Sequence, residues 1–182
     1  RVGSLAELVE AADAVFVAVP ISELETALRD LRAHLHAGHL VLDVSSVKLV
    51  PQALMTKLLG RDVPWVATHP LFGPTSLTLG ERPLHVVICP NPCHPTAAAR
   101  ARALYESIGC EIIEQEAEAH DRGLAQTHAL AFFIAKGLLD MGIDEVLHAA
   151  PPSFPALVRT IEAVRPDAGH LFVPIHLYNP FA

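Results

Sequence analysis

The sequence predicts an α/β fold, with a mostly parallel sheet covered by helices on both faces, followed by an all-helical region. Short apolar runs alternate with amphipathic stretches over residues 1–116, which is typical of β-α-β units. After Glu116 the strand pattern disappears and helical periodicity continues to the end of the chain. We therefore expect an α/β domain over residues 1–116 and a helical domain over residues 117–182.

Five apolar runs are the predicted strands, and the segments between and after them are the predicted helices. The strands are expected at 14–20, 40–46, 64–69, 85–90 and 110–115. Helices are expected at 22–35, 51–60, 95–108, 117–141, 154–164 and 171–178. Ser22 and Glu25 have the spacing of a capping box, which predicts a helix start at that point.

Composition places the chain among globular proteins. Hydrophobic residues make up 51% of the 182 residues and charged residues 18%, which is unlike a disordered chain. The formal net charge is −7 and there is no run of Lys or Arg, so we expect no nucleic-acid partner. No apolar run is long enough to span a bilayer and no signal peptide is evident. We therefore expect no membrane partner and a cytoplasmic location.

The three cysteines argue for reduced thiols and against a metal site. An odd count without a secretion signal suits a reducing compartment. Cys89 and the Cys93-His94 pair have a spacing faintly similar to a metal clip, but there is no second ligand pair and two prolines interrupt the segment. We expect a strand end and a loop there, and no bound metal.

The start of the chain lacks a feature that a dinucleotide-binding domain needs. Such a domain opens with a strand and a G-x-G-x-x-G motif, and none of the 10 glycines forms that motif. The first predicted strand, 14–20, is uniformly apolar, which is typical of a central strand. As an exposed edge, such an apolar strand would promote aggregation. We expect a β-α-β portion of roughly 60 residues to precede Arg1, and the helical domain to be truncated as well.

Polar residues at the ends of two neighbouring predicted strands form the candidate site. The segment DVSSVK, residues 43–48, ends one strand, and His69 in THPLFGPTS ends the next. In open α/β sheets ligands bind at the carboxyl ends of the strands. On spacing alone, a structural role and a catalytic role are equally open for these residues.

Four segments together resemble the prephenate/arogenate dehydrogenase family. They are DVSSVK, THPLFGP, EAHDRGLAQTHAL and the terminal YNPFA, and they occur in the family's order over about residues 3–182. The resemblance implies a Rossmann-type domain that binds NAD or NADP, and a helical domain that builds much of a homodimer interface. It also implies oxidative decarboxylation of prephenate or arogenate on the route to tyrosine.

The resemblance assigns catalytic roles to residues of the two strand ends. His69 matches the family's histidine, and imidazole suits a base because its unperturbed pKa lies near neutral pH. Ser46 matches the family's serine beside the substrate hydroxyl and the nicotinamide. Lys48 matches a family lysine that would tune the local charge near the substrate, and a structural ion pair is an equally open alternative.

Further positions are expected around the ligands. Val19, Pro20 and Ser45, together with Ser46, are expected near the dinucleotide. Gly73 would let its loop turn close to a bound ligand.

The chain departs from the family in its helical part. The family's histidine falls on Phe132, while His128, on the same helix face, occupies a glutamine position. His128 either takes over the polar contact to substrate or is a half-buried helix residue. Arg159 and Arg165 are candidates for pairing with the substrate carboxylate, with a solvated surface face as the alternative.

Two other functions stay open. The chain could be a truncated or degenerate homologue without catalytic activity of its own, given the missing glycine motif and the changed substrate helix. A weaker alternative is another dehydrogenase of the β-hydroxyacid type. The HPLFGP segment and the His-Asp pair in EAHDRGLAQTHAL argue against it.

Overall fold

The chain folds into two compact units, Arg1–His120 and Asp121–Ala182. The computed structural model describes residues 3–78, 80–142, 151, 153–164 and 168–182. The division between the units falls inside the helix that begins at Ala117.

A five-stranded sheet forms the centre of the first unit. Its strands are β1 (Ala14–Val17), β2 (Leu40–Asp43), β3 (Trp65–Pro70), β4 (Leu84–Cys89) and β5 (Cys110–Glu114), and they lie side by side in this order. β1, β2 and β3 run parallel, whereas β4 is antiparallel to β3 and parallel to β5. The predicted α/β fold with a mostly parallel sheet is confirmed.

The connection between β3 and β4 explains why the sheet changes direction there. A parallel return needs a crossover of a dozen or more residues, usually with a helix long enough to span the sheet. Among the described residues of the β3–β4 connection, 71–78 and 80–83, the helix present is α4 (Pro74–Thr78), whose 5 residues are too few to span the sheet. The chain therefore turns back along β3, with His69 opposite Val87.

Helices cover both faces of this sheet. They are α1 (Leu5–Glu10), α2 (Leu24–Arg32), α3 (Leu49–Leu58) and α5 (Pro95–Ser107). α1, which the sequence did not predict, has the capping box, formed by Ser4 and Glu7.

The capping box predicted at Ser22 and Glu25 is wrong. A 3₁₀ turn over Ile21–Glu23 comes before α2, and neither element has a side-chain cap. Glu25 instead accepts a hydrogen bond from Arg29 at 2.6 Å, one turn further along the helix.

The alternation of β3 side chains divides the core into two layers. Trp65 and Ala67 pack in one layer, together with residues of α2 and α3 such as Leu28 and Met55. Val66 points to the opposite layer, which contains Tyr105 and three alanines of α5. Because strand side chains alternate, the next residues, Thr68 and His69, belong to opposite faces of the sheet.

The second unit is helical, as predicted. α6 (Ala117–Leu124) continues through a π-helical segment (Ala125–Ala129) into α7 (Leu130–Asp140). Two further helices follow, α8 (Phe154–Val164) and α9 (Ala168–Tyr178). Among the described helices, none combines the length and the apolar character needed to cross a bilayer.

Gly109→Ala tests the turn between α5 and β5. Gly109 has a φ of 83°, which an alanine adopts only with strain, so we expect the free energy of unfolding to fall by about 1 to 2 kcal/mol. Urea denaturation of both proteins measures this. Gly73→Ala is the matched control, because its φ is not positive and an added Cβ would meet nothing within 4 Å. Equal losses in the two variants would contradict the explanation.

Candidate active site

A fully buried ion pair between Asp43 and Lys48 lies at the carboxyl end of β2. The Lys48 ammonium also donates to the backbone carbonyl of Thr68 on β3. The other carboxylate oxygen of Asp43 accepts the Ser45 backbone N–H at 3.0 Å and the Ser45 hydroxyl at 2.5 Å. These bonds close the loop of residues 43–48 around one carboxylate and fasten it to the neighbouring strand.

The burial of Lys48 bears on the two roles that the sequence left open. Moving two charges out of water costs several kcal/mol, and the cost is offset only when both charges are well paired and hydrogen-bonded. Lys48 meets that condition through Asp43 and Thr68, with its side chain fully buried. The geometry supports the structural ion pair, and contact with a substrate stays a prediction.

A second hydrogen-bonded chain joins β2 to α5 on the opposite face. The Thr68 hydroxyl lies 2.7 Å from the Asp43 carbonyl and 2.9 Å from the Tyr105 hydroxyl. A hydroxyl has one hydrogen and a carbonyl only accepts, so Thr68 donates to Asp43 and Tyr105 donates to Thr68. Burial raises the pKa of Tyr105, and the Asp43 charge raises it further, so the phenol keeps the proton that it donates.

His69 meets a second histidine at the end of β3. Its Nδ1 lies 2.9 Å from Nε2 of His120, and the two rings meet edge to face with an interplanar angle of 75°. His69 is 9% exposed and His120 is 3% exposed, so both imidazoles are largely shielded from water. His120 lies in the first turn of α6, where Ala117 packs in the same core layer as Ala67.

The other predicted residues of this unit lie in segments that follow the strand ends. Ser46 is half-buried in the loop after β2. Val19 is half-buried and Pro20 is exposed, just after β1, and because β1 and β2 are parallel these segments leave the same edge of the sheet. Ser45 lies beside them, with its hydroxyl bonded to Asp43.

Gly73 has no conformational requirement for glycine. Its φ is not positive, and a Cβ added there would meet nothing within 4 Å. Close approach of a ligand to this loop therefore stays a prediction.

The cysteine segment does not gather metal ligands in this structure. Cys89 is buried in the sheet core, whereas Cys93 is exposed. A ring nitrogen of His94 lies 3.0 Å from the Gly60 carbonyl. Within the described part of the chain, no group of three or more His, Cys, Asp or Glu side chains is placed to hold a metal ion.

In the second unit, the rings of His128 and Phe132 lie one turn apart and are tilted by 38° relative to each other. Their ring centroids are 4.8 Å apart, His128 is exposed, and Phe132 is only 2% exposed. The alternative that His128 is half-buried is wrong, because His128 is exposed, and its contact with a substrate stays a prediction. Arg159 is exposed on α8, and Arg165 lies outside the described residues.

Two of the motif segments meet within this second unit. The Asn179 side-chain amide donates to the Asp121 carbonyl at 2.8 Å, and Asn179 itself is 2% exposed. The Arg122 guanidinium lies 4.1 Å from the centre of the Phe181 ring, a cation–π contact. The terminal YNPFA segment therefore packs against Asp121 and Arg122 of the EAHDRGLAQTHAL segment. The sequence alone did not predict this contact.

Sequence reasoning also missed the roles of Asp43, Tyr105 and His120. His120 is part of the EAHDRGLAQTHAL segment, and a histidine followed by an aspartate near a predicted helix start was the available signal. Nothing in the spacing linked it to His69, 51 positions earlier.

The fold and the position of the site define an α/β ligand-binding domain whose polar residues gather at the carboxyl ends of parallel strands. A family model described as "Prephenate dehydrogenase, nucleotide-binding domain" matches residues 1–114. The chain belongs to the prephenate dehydrogenase family, and its sheet belongs to the Rossmann-type nucleotide-binding domain of this oxidoreductase family.

Individual relatives agree with this assignment. The chain is 27% identical to a probable arogenate/prephenate dehydrogenase of Methanocaldococcus jannaschii, over 96% of this chain and 40% of that protein. It is 28% identical to the 4-amino-4-deoxyprephenate dehydrogenase of Streptomyces pristinaespiralis, over 94% of this chain and 58% of that protein. The chain thus spans about half the length of these two relatives.

A solved structure shares the fold. The prephenate dehydrogenase from A. aeolicus, in complex with hydroxyphenyl propionate and NAD⁺, matches with a TM-score of 0.73 and 18% identity. The match covers 98% of this chain and 65% of that one.

Lys48→Met tests the buried ion pair. The change leaves the Asp43 charge buried without its partner, so we expect the free energy of unfolding to fall by about 3 to 5 kcal/mol. In the Asp43→Asn/Lys48→Met double variant the loss should be smaller, because no unpaired charge remains. Urea denaturation followed by circular dichroism measures both.

Lys57→Met is the control for this experiment. Lys57 is exposed and lies 3.4 Å from Glu25, so its removal should change stability by less than about 1 kcal/mol. A loss of similar size in the Lys48 and Lys57 variants would remove the ion pair as a stabilising element.

Proposed function

We propose that this chain supplies the catalytic histidine of an NAD- or NADP-dependent dehydrogenase that oxidises and decarboxylates prephenate or arogenate, on the route to tyrosine. The observation that carries the proposal is the position of His69. It lies directly before the last residue of β3, one strand away from the Ser46 loop, in a domain of this nucleotide-binding family. The shared fold with a solved prephenate dehydrogenase is consistent with it.

The proposed chemistry assigns a proton transfer to His69. The substrate hydroxyl gives its proton to the imidazole, while NAD or NADP supplies the acceptor for the hydride that leaves the same carbon. Loss of carbon dioxide then makes the ring aromatic, which drives the reaction. Ser46 would hydrogen-bond near the substrate hydroxyl and orient it toward the base.

The cofactor would lie along the carboxyl edge of β1 and β2. Val19, Pro20, Ser45 and Ser46 would hold it, and their half-buried or exposed positions leave this edge accessible. Lys48 would act through its ion pair with Asp43, which fixes the loop that carries both serines.

The helical unit would supply substrate contacts and a homodimer interface. His128 and Arg159 are the candidates for the substrate carboxylate and polar groups, and both are exposed. The helices α7, α8 and α9 also expose large apolar side chains, which favours an interface with a second copy. They include Leu130, Phe133, Ile134, Leu157, Val173 and Leu177.

One alternative is a homologue without activity of its own. Phe132, which occupies the position of the family's histidine, is buried in the helical core and so offers no polar group there. The coding sequence upstream of Arg1 separates the two possibilities. An in-frame strand followed by G-x-G-x-x-G supports the enzyme, and a start codon near Arg1 supports the inactive homologue.

The protein encoded by the complete gene is the material for the activity test. We expect NAD- or NADP-dependent turnover of prephenate or arogenate, measured by absorbance of the reduced cofactor. Assays of both substrates with both cofactors identify the pair that the enzyme uses. Absence of turnover in all four combinations would contradict the proposal.

His69→Asn should lower turnover by roughly 100- to 10,000-fold, because the base is lost. Cofactor affinity, measured by fluorescence titration, should change little. His85→Asn is the matched control, since His85 is 40% exposed on β4 and pairs only weakly with Glu111. Turnover in His69→Asn equal to that of the control would remove His69 from the mechanism.

His128→Ala tests whether His128 contacts substrate. Loss of a polar contact should raise the substrate KM by about 10-fold, which corresponds to about 1.4 kcal/mol of binding free energy. Steady-state kinetics measures this, with Gln126→Ala, an exposed neighbour on the same helical segment, as control. An unaltered KM would leave His128 as a surface residue.

A further inference from the structure

The contact between His69 and His120 raises a question about protons that the proposed function does not answer. Nδ1 of His69 and Nε2 of His120 are 2.9 Å apart in a buried setting, which is a hydrogen-bond distance. A neutral imidazole carries a hydrogen on only one of its two nitrogens. When both rings are neutral, one ring must therefore donate across this contact and the other must accept.

The direction of this hydrogen bond decides whether His69 can act as a base. If His69 donates through Nδ1–H, its Nε2 carries a lone pair and can take a proton from a substrate. If His120 donates through Nε2–H, the hydrogen of His69 is on Nε2, and that nitrogen can no longer accept one. In a neutral histidine, the partner of one ring nitrogen sets the tautomer at the other.

We propose that His120 is a positioning residue that accepts the Nδ1–H of His69 and so holds His69 in the tautomer with an unprotonated Nε2. The inference rests on the proposed function of His69 as the base. It deepens that function by naming the residue that prepares the base.

The fold fixes both rings well enough for this role. His69 follows Trp65 and Ala67 on the face of β3 that packs against α2 and α3. Ala117, one turn before His120, is 3% exposed and packs in that same layer. The backbone N–H of His120 donates to the Glu116 carbonyl at 2.9 Å, so the first turn of α6 is formed where the ring is held.

A histidine partner also suits the proton transfer itself. When His69 takes the substrate proton on Nε2 it becomes a cation, and its Nδ1–H then donates more strongly to the neutral His120 ring. His120 gains no proton in this step and the pair carries a single added charge. The neutral His120 ring therefore stabilises the protonated His69. Before the proton transfer it places no charge next to His69.

The tautomer of His69 can be observed without any turnover. In the 182-residue chain labelled with ¹⁵N-histidine, the ring-nitrogen shifts distinguish the Nδ1–H from the Nε2–H form. The His69 signal is identified as the one that disappears in His69→Asn. We expect it to report the Nδ1–H form at a pH above the histidine range, and an Nε2–H form would overturn the proposal.

Two variants of His120 separate the accepting role from packing. His120→Gln keeps an acceptor at about the reach of Nε2, so the Nδ1–H form of His69 should persist. His120→Leu fills the space without an acceptor, so His69 should shift toward the Nε2–H form that an imidazole prefers in water. His85→Gln, an exposed control, should leave the His69 signal unchanged.

Kinetics of the protein from the complete gene gives an independent readout. We expect His120→Leu to lower kcat by about 10- to 100-fold with little change in KM, and His120→Gln to recover most of the loss. Equal kcat values in the Leu variant and the parent would overturn the proposal. If the Leu variant fails to fold, the Gln variant decides alone, since loss of the Nδ1–H form there contradicts an accepting role.

The two readouts separate this inference from the proposed function. Failure of the parent enzyme with every substrate and cofactor, together with an Nδ1–H signal that depends on His120, overturns the function and supports the assignment of the tautomer. Activity that is unchanged in both His120 variants overturns the positioning role and leaves the function standing.

Discussion

The buried ion pair between Asp43 and Lys48 is the interaction on which the site depends. It couples the end of β2 to the loop of residues 43–48 and, through the Thr68 carbonyl, to β3. A charge pair without water is stable only when each partner is held in place, so the pair specifies one geometry for the loop. Ser46 and His69 belong to the two segments that the pair joins, and their separation is therefore set by a contact that neither of them makes.

Strand alternation then decides what each residue at the end of β3 can do. Thr68 faces α5, where the Tyr105 hydroxyl donates a hydrogen bond to the Thr68 hydroxyl. The Thr68 hydroxyl in turn donates to the Asp43 carbonyl. His69 faces the other layer, where the first turn of α6 supplies His120. One position on the strand thus serves the structure, and the next carries the base that we propose.

Much of this could be predicted from the sequence, since apolar runs mark strands wherever both faces of a sheet are covered. All five strands and the helices α3, α5 and α8 lie close to their predicted positions. The antiparallel direction of β4 could not be predicted, because it depends on the short helix in the connection after β3. The capping box at Ser22 failed for a different reason, since a 3₁₀ turn there leaves Glu25 paired with Arg29.

The sequence by itself determined the fold class, the positions of the five strands along the chain and the two segments that carry Ser46 and His69, because hydrophobic periodicity and motif order are local properties. Only the tertiary structure decided that Lys48 is buried against Asp43 and that His69 contacts His120. His69 and His120 are 51 positions apart along the chain, and Lys48 points inward because of packing. No sequence spacing marks a hydrogen bond between two imidazoles. The protonation of the candidate base is therefore a property of the folded chain and not of its motif.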